Sequence, residues 1–139
     1  MFTSVSSRAA FAYKRSSVEA SVEQADPHRL VSLLFDALQQ TVAAARLSIQ
    51  NKDIPTKVYK IGHAIRILEE GLKAPLDLKN GGEIAANLNA VYDYCIDRLA
   101  LANARNDVAL LDEVVRLIEP ISSGWKQIDG AGPAYLKPV

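Results

Sequence analysis

The stretch DPHRLVSLLFDALQQTVAAARLSIQNKDIP, residues 26–55, decides how this chain folds. Asp26 followed by Pro27 reads as a helix start. The carboxylate can accept from free amides of the first turn, and proline suits the first helical position because its missing N–H would be unpaired anyway. Val31, Phe35, Leu38, Val42, Ala45 and Ile49 then recur at alternating steps of four and three, so they form one apolar face of a helix reaching about Gln50. Asn51-Lys52-Asp53 interrupts it, and Asp53 with Pro55 repeats the same start signal.

Working outward, the alternation recurs. Ile54, Val58, Ile61, Ile65, Leu68 and Leu72 predict a second helix ending near Ala74, since Pro75 disfavours helical geometry in the residue before it. Pro75 to Gly82, with Asp77, Asn80 and two glycines, reads as a connection. A third helix carries Ile84, Leu88, Val91, Cys95 and Leu99 and fades at Asn103 to Asn106. Asp107 caps a fourth, with Leu111, Val114, Ile118, Ile121, Trp125 and Ile128 inward. Pro120 lies inside that pattern and predicts a kink or a break. Gly130 to Val139 predicts a frayed tail. Four amphipathic segments of about twenty residues, each ~30 Å long, predict an all-α, antiparallel up-and-down four-helix bundle. The boundaries expected are a flexible arm over 1–15, the bundle over 16–128 and a disordered tail over 129–139.

Composition narrows the function. At 139 residues the chain suits one core, and 49% hydrophobic with 23% charged residues excludes wholesale disorder. Sixteen basic residues balance sixteen acidic ones and no dense Lys/Arg run occurs, which argues against nucleic acid as partner. No apolar run approaches the ~20 residues of a membrane span, so no membrane insertion is expected. The lone Cys95 cannot form an internal disulfide, which fits a reducing, cytoplasmic setting. The Ser-rich first eighteen residues carry Arg8, Lys14 and Arg15 with no acid before Glu19. That resembles a transit peptide in composition but lacks the apolar centre of a secretory signal, and a flexible arm with Phe2, Phe11 and Tyr13 as docking aromatics is the preferred reading.

Catalytic chemistry finds little purchase. Neither His28 nor His63 has a ligand one helical turn away, so a carboxylate-bridged metal enzyme lacks its inward acids and histidines and no metal or cofactor is expected. Glu69-Glu70 and Asp112-Glu113 diverge by about 100° around a helix and cannot flank one substrate. Cys95 lies in a core register as a small hydrophobe. Gly81-Gly82 lacks the lysine and hydroxyl of a phosphate loop, so turn-making explains it. The third helix is more informative. It mixes Ile84, Leu88 and Val91 with Asn87, Asn89, Tyr92 and Tyr94, a composition suited to holding another peptide. Tyr92 and Tyr94 leave the helix about 200° apart, so both cannot face the core.

These residues resemble a family. Gly81-Gly82-Glu83-Ile84-Ala85, then Asn87-Leu88 and Tyr92-Asp93-Tyr94, look like the signature of FliS, the flagellar export chaperone for flagellin. Ala12-Tyr13 resembles its N-terminal tyrosine segment. Asp26-Pro27-His28-Arg29-Leu30 with Leu33-Leu34-Phe35-Asp36 resembles its first helix, and Ile67-Leu68, Gly71-Leu72 and Leu76-Asp77 its second helix and exit. Arg98-Leu99, Ala102-Asn103, Asn106-Asp107, Trp125 and Ile128 resemble its last two helices. Pro120 and Cys95 depart from the pattern. The resemblance implies a cytoplasmic, non-enzymatic protein without cofactors. It would bind the disordered C-terminal segment of flagellin in apolar inter-helix grooves, prevent premature polymerisation and deliver the cargo to a component of the flagellar type III export apparatus. The cargo contacts expected are Ile84, Asn87, Leu88, Val91, Tyr92 and Tyr94, with Tyr13 as a cap over the groove when cargo is absent. Self-association into a homodimer is compatible with it. The alternative reading is a structural helical-bundle subunit that self-assembles.

Overall fold

The computed structural model describes residues 26–128 and 135–137. Within them the order is α1 (Pro27–Gln50), α2 (Ile54–Arg66) running into a π-helical stretch (Ile67–Lys73), α3 (Gly82–Arg105) and α4 (Val108–Gln127). Among the described residues there is no named strand, and the helices pack on one another as an all-α four-helix bundle. The arm over 1–15, with Tyr13, and residues 16–25 lie outside the described residues.

Three helices start where aspartates can accept their free amides. The side chain of Asp26 accepts from the Arg29 N–H, that of Asp53 from Thr56 and that of Asp107 from Ala109. Asn106 ends α3 in the left-handed region (φ 52°), which asparagine tolerates better than most residues. The connections Asn51–Asp53 and Asn106–Asp107 are too short for anything but antiparallel neighbours.

Side-chain pairs fix the register. Along α1 and α4, Arg46 meets Asp112, Gln39 meets Glu119, and His28 meets Trp125, so the two helices run in opposite directions. Along α2 and α3, Lys57 meets Asn103 and Asn106 while Lys73 meets Asp93. Each helix thus packs on its sequence neighbours and α4 closes back on α1. Phe35, Leu38 and Val42 of α1, Ile61 and Leu68 after the first loop, Cys95 and Leu99 of α3, and Leu111, Val114 and Ile118 of α4 form the core.

Four details differ from expectation. The second helix changes at Ile67 to a π-helical stretch ending with the Ala74 N–H donating to the Glu69 carbonyl five residues back (3.0 Å). Of the kink or break predicted at Pro120, the break does not occur: α4 stays helical through Gln127. Pro120 forfeits its own N–H bond and its ring crowds the preceding turn, a cost offset by the burial of Ile118, Ser122 and Trp125 on either side. Ile54, Val58, Ile84 and Ile128, expected inside, are exposed, because each lies near a helix end where the bundle is no longer covered on all sides. The expectation of a frayed tail does not hold for residues 135–137. There the Asp77 N–H donates to the Tyr135 carbonyl (2.7 Å) and the Lys137 N–H to that of Pro75 (2.8 Å), an antiparallel bridge between Leu76 and Leu136.

Candidate functional site: an apolar groove at one end of the bundle

Where the start of α1, the π-helical stretch, the start of α3 and the end of α4 converge, the bundle opens into a groove of about 330 Å³. Phe35, Leu72 and Tyr92 lie deep in it, all nearly inaccessible. Ile84 and Leu88 of α3 form one wall, and Ile121 and Trp125 of α4 another. Pro75 and Leu76 close one side, joined by Tyr135 and Leu136. No charged side chain is among these linings.

Local chemistry explains the shape. Trp125 is held by a reciprocal pair across α1 and α4: its indole N–H donates to the His28 carbonyl (2.9 Å), while Nε2 of His28 donates to the Trp125 carbonyl (2.6 Å). The two rings stack 5.1 Å apart at 14°. A tryptophan so pinned forms a rigid wall. Gly71 lets the π-helical stretch approach α1 closely, since a Cβ there would come within 3.2 Å of the Leu34 side chain. Gly82, the first residue of α3, adopts φ +65°, a conformation glycine reaches without penalty.

The expected contact residues divide. Ile84, Leu88 and Tyr92 stand one turn apart and all line the groove; Ile84 is 58% exposed and Tyr92 only 3%. Asn87 is exposed but outside the lining, and Val91 is half-buried against the core. Tyr94 points to the α3–α4 seam, where its hydroxyl donates to Glu113 and the Arg98 guanidinium sits 4.7 Å from its ring centroid. The two tyrosines do face opposite ways, one buried and one exposed. Hydrogen bonding to Glu113, first of all, raises the Tyr94 phenol, whereas burial raises that of Tyr92. The helical spacing alone gives Trp125 a packing role and gives Pro75, Leu76, Tyr135 and Leu136 no part in the site. The turn signal at Pro75 and the tail's Tyr135 were the available hints.

No histidine, cysteine, acid or base is among the groove linings. Cys95 is fully buried and burial pushes its thiol up to about 11, so it stays protonated and unreactive. Among the described residues no three histidines, cysteines or acids gather as a metal site, and no helix is long and apolar enough to cross a membrane.

The family model described as flagellar protein FliS matches residues 9–132. This chain belongs to the FliS family. Relatives agree along most of their length. It is 45% identical over 117 residues to the flagellar secretion chaperone FliS of Salmonella typhimurium, covering 84% of this chain and 87% of that one. It is equally identical over 116 residues to the flagellar secretion chaperone FliSB of Pseudomonas aeruginosa, covering 84% and 91%. The Bacillus subtilis FliS is 31% identical over 107 residues, covering 77% and 78%. The FliS match includes every helix that builds the groove. The family is one of secretion chaperones rather than of enzymes.

Proposed function

We propose that the groove receives the disordered C-terminal segment of flagellin. By occupying that segment in the cytoplasm, the protein keeps flagellin from polymerising early and delivers it to a component of the flagellar type III export apparatus. One observation carries this reading: a FliS-family bundle holds an uncharged apolar groove whose α3 wall is Ile84, Leu88 and Tyr92. The residues suit an amphipathic peptide that folds as it binds, its apolar side chains filling the groove between helices. Such coupled folding loses ordering entropy, so the cargo must wrap more surface than the groove alone provides. Exposed Asn87 would bond cargo backbone beyond the groove. Val91 and Tyr94 are engaged in the core and with Glu113 and Arg98, and are the weaker candidates.

Calorimetry with a flagellin C-terminal fragment tests the reading. Saturable binding is expected, weakened about tenfold or more by Ile84→Asp, the size of one interface hot spot. Absence of binding by the unaltered protein would end it. Tyr13 as a cap is tested separately by deleting residues 1–15; an unchanged affinity removes that idea alone.

A further inference from the structure

The groove is already partly filled by the chain itself. Tyr135 and Leu136, half-buried, line it from the far end of the sequence. Tyr135 meets Trp125 edge to face, centroids 6.1 Å apart at 70°. Its backbone runs so close to the start of α3 that a Cβ on Gly81 would lie 2.9 Å from the Tyr135 Cα. Two backbone hydrogen bonds to Pro75 and Asp77 complete the attachment. So short a pairing is marginal by itself, so Tyr135 and Leu136 in the groove hold it there.

We propose that Tyr135–Lys137 is a strap that competes with cargo for the groove, so that cargo binds only as the strap leaves. This rests on the groove being the cargo site. Three features fit an exchangeable occupant. The strap uses the apolar surface that an amphipathic cargo would need, since Tyr135 covers part of Trp125 and Leu136 pairs across from Leu76. It brings few attachments of its own. Its removal leaves the Pro75 carbonyl and Asp77 N–H at the rim, where water or cargo backbone can take them. The strap would thereby shield Trp125, Leu76 and Tyr92 while no cargo is present, lowering the risk that an exposed apolar groove recruits the wrong peptide. Affinity for cargo is reduced by the fraction of molecules with the strap in place. With the strap closed about nine-tenths of the time, removing it tightens cargo binding about tenfold.

The sign of the effect separates a competitor from a clasp that merely supports the groove. Tyr135→Ala in the full chain should tighten binding of the flagellin C-terminal fragment severalfold, and should change the emission of Trp125, the sole tryptophan. A full-length Leu76→Cys/Leu136→Cys variant supplies the converse. Antiparallel bridge partners lie within disulfide reach, and buried Cys95 stays out of the exchange. Oxidised, this variant should bind the fragment at least about tenfold more weakly than the same molecules after reduction, because the competent fraction falls towards zero. Equal affinity in both redox states, or weaker binding by Tyr135→Ala, would overturn the strap. Failure of the unaltered protein to bind the fragment would instead overturn the groove as cargo site, and the strap with it.

Discussion

The two ends of this bundle are built on opposite plans. At the end holding the Asn51–Asp53 and Asn106–Asp107 connections, polar groups lock the helices together. Lys57, 4% exposed, reaches from α2 to the Asn103 carbonyl (2.9 Å) and to the side chain of Asn106, satisfying the end of α3. Arg46 and Asp112 pair across α1 and α4, two aspartates cap α2 and α4, and Leu111 fills the centre. At the opposite end the His28–Trp125 and Lys126–Asp36 pairs hold α4 to α1, but aromatic and aliphatic side chains around Pro75 and the π-helical stretch line an open gap. A bundle of four similar helices therefore gathers its short connections at one end and its receptive surface at the other. At the open end one pair does both jobs, since the His28–Trp125 bonds that hold α1 to α4 also fix a wall of the groove.

Substitutions at the two ends should separate stability from binding. Leu111→Ala, at the locked end, should cost about 2–5 kcal/mol in chemical denaturation, as for a fully buried leucine. Its cargo affinity per folded molecule should stay unchanged; a large loss of affinity would mean that the ends are not independent. Ile84→Asp should do the reverse. At 58% exposure it should alter stability by only about 0.5 kcal/mol, while cargo binding weakens about tenfold or more. Lys57→Met should cost about 1–3 kcal/mol, since the carbonyls that it satisfies at the end of α3 are left without a donor. An unchanged denaturation midpoint would show that water replaces the ammonium there. Asp107→Ala should cost about 1 kcal/mol through the lost cap of α4.

The smallest effect is a pH dependence arising on α2. His63, on α2, has its pKa lowered by burial, then by Arg66 and Lys60. A lowered histidine pKa favours the neutral form in the folded state. Protonation therefore opposes folding, and stability should fall as pH drops below the unfolded value of about 6.5 towards the lower folded one. Denaturation midpoints between pH 5 and 7 should show that slope in the unaltered protein and a flatter one in His63→Gln. Identical slopes would place its origin in another group.

Much of this contrast was legible in the chain and some was not. The helix starts announce themselves locally: Asp26-Pro27 at the groove end, and Asp53 with Pro55 and Asp107 at the locked end, state their capping roles within a few residues, and the helices begin where those signals place them. The opposed directions of Tyr92 and Tyr94 follow from helix geometry alone. The π-helical stretch was hidden because Ile61, Ile65, Leu68 and Leu72 read equally well as uninterrupted α-helix. Trp125 showed its core spacing but not its second role, since the groove exists only once Pro75 and Ile84 arrive from other helices. The attachment of Tyr135 depends on Gly81 and Trp125, distant in sequence, so a tail rich in glycine and proline looked simply loose. Local chemistry predicts caps well; a surface assembled from four separate segments leaves only fragments of itself in each.

The central claim, that the groove end is where cargo sits, is tested most directly at Trp125. It is the only tryptophan, buried in the groove wall. Titration of the full chain with a tryptophan-free flagellin C-terminal fragment, followed by emission and calorimetry together, should give an emission change saturating with the heat, and both signals should weaken together in Ile84→Asp. Binding heat with unaltered Trp125 emission and an unaffected Ile84→Asp variant would place the cargo elsewhere on the bundle.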